Sequence, residues 1–111
     1  MSKGDFVGEF ELYVLIAIAQ AGEEAYGVAI RQEIERRTRR TVSIGAVHAT
    51  LGRLSDKGLV RFTVSDPQPI PGGKRRKFFR LTPAGERALR HSARMLARML
   101  DGLSPQLRGF G

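Results

Sequence analysis

Ser43, His48 and Arg53 are three of the polar side chains of one short stretch, "TVSIGAVHATLGRLSDKGLV" (Thr41 to Val60). Between them stand Gly45, Ala46, Ala49 and Gly52. Ile44, Val47, Leu51 and Leu54 recur at helical spacing and predict the buried face of a helix. The other face is nearly bare, where an ordinary amphipathic helix carries Glu, Lys and Gln. Small residues with a few hydrogen-bonding groups suit close approach to another molecule, not bond-breaking chemistry. Two basic clusters flank the stretch: "RRTRR" (Arg36, Arg37, Arg39, Arg40) and "KRRK" (Lys74 to Lys77). Consecutive cations repel one another unless a counter-charge is supplied, so the chemistry offered is recognition of a polyanion.

Other chemistries find little support. The 111 residues contain no cysteine, which excludes disulfides, thiol catalysis and cysteine zinc sites. The two histidines are far apart, no paired carboxylates stand in an apolar setting, and there is no phosphate-binding glycine motif. An enzyme is therefore the weakest reading, and no cofactor is expected. The charge is segregated. Residues 1–35 hold seven acids and two bases, net −5, while residues 36–111 hold four acids and seventeen bases, net +13. The longest apolar run, Leu12 to Ala19, is too short for a bilayer. The first ten residues lack a signal-peptide pattern. These features and the absent cysteine fit a cytoplasmic protein with no membrane partner.

The elements that must position this stretch are legible as four helices and one hairpin. The first helix covers about Gly8 to Gln20 and is apolar on nearly all sides: Phe10, Tyr13, Val14, Ala17 and Ile18 on one, Leu12, Leu15, Ile16 and Ala19 on the other. So small a domain cannot bury all of that alone, which predicts a second chain against it. The second helix covers about Ala25 to Arg37, with Ile30 and Ile34 facing inward and Glu33 paired to Arg37. The third runs from about Ile44 to Lys57, capped by Ser43 and stopped at Gly58. Leu59 to Val64 and "KFFRL" (Lys77 to Leu81) read as strands around the loop "DPQPIPGG". Thr82 caps the fourth helix, with Pro83 at its first position. Leu89, Ala93, Leu96, Leu100 and Leu103 follow it at heptad-like spacing. No further element is read that covers this stripe, so its partner is expected to be the same helix of a second copy.

This order is a winged helix-turn-helix: mainly α with a small β-hairpin, over 1–81, followed by a C-terminal dimerisation helix and tail over 82–111. The bare face then has a reason. The major groove of B-DNA, about 12 Å wide, admits a helix that comes in closely. Gly45, Ala46 and Ala49 permit that approach. The Ala methyls and Thr50 can meet thymine methyls, and Ser43, His48 and Arg53 can hydrogen-bond bases or phosphates. Lys74, Arg75 and Arg76 at the hairpin tip can reach an adjacent minor groove. The plainer reading of each is a good helix former, a surface ion pair or a basic β-edge. The alternative for the whole is a winged-helix module used for protein contact.

The stretches "LYVLIAI", "AYGVAIRQEIE", "SIGAVHATLGRLSDKGLV" and "GGKRRKFFRLTPAGERAL", in this order and spacing, resemble a PadR-type transcriptional regulator of the short subfamily, from about Leu12 to Leu89. "RLTPAG" alone is weak, since other winged-helix families share it. The resemblance implies a homodimer joined through the first and fourth helices, a pseudo-palindromic operator, and repression released by a small molecule. It implies that Tyr26 of the "YG" pair lies near a DNA phosphate, that Ser43 to Leu54 is the recognition helix and that Pro71 to Lys77 is the wing. His48 stands where the family commonly has tyrosine, and Gly52 where it has a charged or polar residue. Phe10, Val14, Leu89, Leu96 and Leu100 are the expected dimer contacts. Phe10, Val14, Leu96 and Met99 are candidate walls for a small hydrophobic effector between subunits, with plain dimer core the favoured reading of the same residues.

Overall fold

The computed structural model describes residues 7–66 and 75–109. Helix α1, Glu9–Ala21, passes through a 3-10 turn at Gly22–Glu24 into α2, Gly27–Thr38. A short connection leads to α3, Ile44–Asp56. Strands β1, Val60–Val64, and β2, Lys77–Leu81, form an antiparallel hairpin with Phe62 opposite Phe79. Helix α4, Pro83–Leu100, follows, and a single turn, α5, spans Pro105–Arg108. The expected α-rich class with one hairpin is the observed one. The differences lie at the ends. α2 starts two residues later than expected, with Tyr26 at its N-cap. α4 stops at Leu100, so Leu103 leaves the helical stripe beyond Gly102, whose φ of 82° turns the chain away.

The core is where the three-helix unit meets the hairpin. Val14, Leu15 and Ile18 of α1 pack with Ile30 and Ile34 of α2 and with Val47, Leu51 and Leu54 of α3. Leu59, Val60, Phe79 and Ala88 close it from the hairpin and α4. Ile44 was expected inward but is 37% exposed, because it opens the first turn of α3 before the helix reaches the core. Leu12, Tyr13 and Ile16 stay half-buried, so α1 is not covered on every side within one chain. Among the described residues no helix is long and apolar enough to cross a membrane.

Two close approaches set the geometry. The N–H of Phe79 donates to the carbonyl of Ala25 at 2.8 Å, which ties the hairpin to the turn before α2. At the other end, Thr82 Oγ1 accepts from the N–H of Gly85 at 3.0 Å and donates to the carbonyl of Gly58 at 2.6 Å. The N–H of Thr82 donates to the carbonyl of Leu59 at 3.0 Å. α4 is thereby stitched by its first turn to the end of α3.

Candidate nucleic-acid interface

Ser43 begins the interface in an extended conformation, and its Oγ accepts from the N–H of Ala46 at 3.0 Å. That fixes the first turn of α3 and leaves the hydroxyl hydrogen free to donate. Gly45, Ala46, His48, Ala49 and Gly52 are all exposed on one side of α3. A Cβ added at Gly45 or at Gly52 would meet nothing within 4 Å. Glycine inside a helix costs about 1 kcal/mol relative to alanine. No described residue within 4 Å requires that cost at either position.

Thr50 is a correction. It was expected on the outer face, but it is 1% exposed and its Oγ1 accepts from Arg53 Nη2 at 2.9 Å. Three residues after Val47 and four before Leu54, it belongs to the buried face. Arg53, at the edge of the interface, is held on two sides. Besides Thr50, its Nε stands 3.8 Å from Glu11 Oε2.

Glu11 is the residue that sequence reasoning missed. It lies in the first turn of α1, 8% exposed, and it accepts from Lys57 Nζ at 2.9 Å with both carboxylate oxygens. Its Oε1 also accepts from the N–H of Gly8 at 2.9 Å. The carboxylate thus holds the two cations at the C-terminal end of α3. Burial alone would raise its pKa. The Gly8 bond, the Lys57 ammonium and the Arg53 guanidinium outweigh burial and hold it below the usual glutamate value. A lowered folded pKa gives stability that is present above the unfolded value and lost as pH falls through the folded one. Urea midpoints should therefore be level near neutrality and fall below about pH 4.5, the ordinary value. Glu11→Gln should flatten part of that fall and lower the midpoint at pH 7. An unchanged acid slope would show that this carboxylate carries no such linkage.

The hairpin supplies the facing wall. Arg75, Arg76 and Lys77 are exposed, and the bond from the N–H of Ser65 to the carbonyl of Arg76, 2.8 Å, continues the ladder past β1. The Arg76 guanidinium lies 4.3 Å over the Tyr26 ring, and Phe78 meets that ring in an edge-on pair with centroids 5.8 Å apart. Tyr26 is thus the joint between α2 and the hairpin. A Cβ added at Gly27 beside it would stand 2.9 Å from His48 Cε1 and would push the imidazole aside. The imidazole lies across the start of α2 in the space that glycine leaves. Between α3 and the hairpin is a cleft of about 970 Å³, lined by His48, Gly52, Tyr26, Phe62, Arg75 and Arg76 among others. Lys74 and the loop tip from Pro71 lie outside the described residues.

The other basic cluster is partly spent within the chain. Glu33 pairs with Arg36 and, as expected, with Arg37, and Arg40 reaches Glu9 at 3.2 Å. Among the expected dimer contacts, Val14 is a second correction. It is fully buried in the core of its own chain, so no partner touches it without opening that core. Phe10, Leu89 and Leu100 are half-buried, while Leu96 and Met99 are 55% and 81% exposed. Phe10, Val14, Leu96 and Met99 line neither the cleft above nor a smaller apolar cavity of about 180 Å³ beside Tyr13 and Ile34. Among the described residues no group of His, Asp and Glu is placed to hold a metal ion.

Known proteins share this architecture. Residues 14–91 match the model of the transcriptional regulator PadR-like family. The transcriptional regulator Rv3488 of Mycobacterium tuberculosis is 40% identical over 76 residues, 68% of this chain and 66%, just under two thirds, of that protein. A PadR family transcription regulator from hypervirulent Clostridium difficile superposes with a TM-score of 0.66 at 22% identity, covering 85% of this chain and 96% of the other. RosR of H. salinarum does so with a TM-score of 0.67 at 20% identity, covering 92% and 84%.

Proposed function

The chain belongs to the PadR-like family of transcriptional regulators, and from that premise we propose that it binds a pseudo-palindromic DNA operator as a homodimer and acts as a repressor released by a small hydrophobic molecule. One observation carries the DNA contact: the outer face of α3 is bare at Gly45 and Gly52, and no described residue within 4 Å explains it. The explanation is a partner surface that comes to the helix backbone. Base edges in a major groove are such a surface, and the cations across the cleft suit its phosphates. Tyr26, Ser43, Ala46, His48 and Ala49 line the approach. Arg75 and Arg76 serve the backbone, and Arg53 is released toward it from Glu11 and Thr50.

The second copy packs on the apolar side of α4, where Leu96 and Met99 are open, and on the uncovered part of α1 with Phe10. Two apolar stripes left in water account for such a pairing. An effector held near Phe10, Leu96 and Met99 would act by changing the distance between the two α3 helices. Leu96→Asp should convert the dimer to monomer at micromolar concentration in sedimentation velocity, and a variant that still sediments as a dimer would remove α4 from the interface.

Footprinting on the intergenic DNA upstream of the chain's own gene tests the whole reading. Protection should fall in two halves, centred about 34 Å or one helical turn apart. Protection of a single half, or none, would contradict a two-fold reader of that DNA.

A further inference from the structure

α4 carries a second surface that DNA reading by α3 leaves unused. Arg87, Arg90, Arg94 and Arg98 succeed one another at steps of three, four and four residues. At 3.6 residues per turn they fall within about 80° of the helix circumference, on the side opposite Leu89, Leu96 and Leu100. All four are exposed, and the row is about 16 Å long at about 1.5 Å per residue. From Pro83 to Gly109 the acids are Glu86 and Asp101. Glu86 meets Arg90 at 3.8 Å with both side chains more than half exposed, too loose to neutralise the row. Like charges one helical turn apart destabilise a helix, so the row works against its own element.

We infer that this arginine row is a second duplex-DNA site, which grips the phosphate backbone of a DNA segment other than the one at α3. Guanidinium forks match phosphate oxygens two at a time. A duplex offers a negative charge about every 1.7 Å of axis, so each arginine of a straight row finds phosphates within reach. Placement argues for a separate segment. α4 is anchored by its first turn, and beyond Ala88 none of its residues is buried, so its distal half stands off the body. The row faces away from the leucine stripe. Pairing through that stripe leaves one row outward on each copy, and the dimer can join two stretches of DNA. An anionic membrane is the competing polyanion. It would have to bury the leucine face, which has no aromatic anchor and whose first member, Leu89, is half-covered by its own chain.

The inference uses the DNA reading only to choose duplex DNA as the ligand, and the test separates the two. A short random-sequence duplex is immobilised, the full chain is bound, and a second, fluorescent random duplex is added. The native chain should retain the second duplex. The variant with Arg87, Arg90, Arg94 and Arg98 all replaced by Gln should bind the first duplex as before, lose the second, and melt no lower than the native chain. The same four changes made in Ala49→Glu should remove the residual DNA binding of that variant. They should lower its salt slope by about 0.9 for each phosphate the row neutralises. Residual binding by Ala49→Glu that depends on the row supports the inference even if α3 reads no operator. Retention of the second duplex by the four-fold variant would overturn it. So would capture of phosphatidylserine vesicles by the native chain without capture of a second duplex.

Discussion

Ala49→Glu should weaken binding to the operator by at least about 100-fold while the melting temperature moves by no more than about 2 °C. Ala49 is exposed in the middle of α3, on the side where Gly45 and Gly52 leave the backbone open. In the proposed interface a carboxylate there would face base edges and phosphates at close range, and like-charge juxtaposition at an interface costs several kcal/mol. Each ~1.4 kcal/mol is tenfold in affinity. Glutamate is a good helix former and the position is exposed, so the fold has no reason to suffer. Anisotropy titration and a circular-dichroism melt check both halves. Binding within threefold of the native chain would remove the outer face of α3 from the interface. Thr50→Ala offers a contrast, because Thr50 is a core residue that holds Arg53, and its loss should act through stability and through that arginine.

Gly85→Ala should lower stability by about 3 kcal/mol or more, in the range reserved for overpacking against rigid neighbours. A Cβ at Gly85 would lie 2.0 Å from the carbonyl oxygen of Leu59 and 3.0 Å from its carbon. Those atoms are backbone and cannot swing aside. The same oxygen accepts from the N–H of Thr82, so relief of the clash also breaks the stitch that starts α4. In a domain of this size each 1 kcal/mol moves the melting temperature by roughly 4–8 °C, so a drop of about 12 °C or more is expected. Gly52→Ala is the control of opposite sign. It adds a methyl in open space inside a helix, and should raise stability by up to about 1 kcal/mol while it weakens operator binding. A Gly85→Ala protein that melts with the native chain would mean that α4 does not start against Leu59.

The parts of this molecule that follow from local rules were legible in the sequence. Ser43 and Thr82 cap their helices as their hydroxyls suggest, Gly58 takes the positive φ that stops α3, and β2 spans the five residues expected of it. Ile30, Ile34, Val47, Leu51 and Leu54 are buried because helical periodicity says they must be. Thr50 is the exception: the same periodicity marks it as inward, but the expected contact with thymine methyls placed it outward. Glu11 was out of reach for a different reason. Its partners Lys57 and Arg53 lie 46 and 42 positions further along the chain, and no spacing rule links them. The signal available was an acid in a helix otherwise apolar on most sides, which must find a cation if it is buried. The pairing of Arg40 with Glu9 on α1 is hidden from the sequence in the same way, because 31 positions separate them. The reason for glycine at position 85, the Leu59 carbonyl that occupies the place of a side chain, exists only in the folded chain.

The central claim is that the bare face of α3 and the cations across the cleft take up DNA in a sequence-dependent way. Fluorescence anisotropy of the native chain against its upstream intergenic duplex and a scrambled duplex, over a salt series, tests it most directly. The expected result is tight binding that prefers the upstream duplex and whose logarithm falls with the logarithm of salt at about −0.9 per phosphate contacted. Absence of binding to either duplex at low salt would contradict it, and the face would then belong to a protein partner.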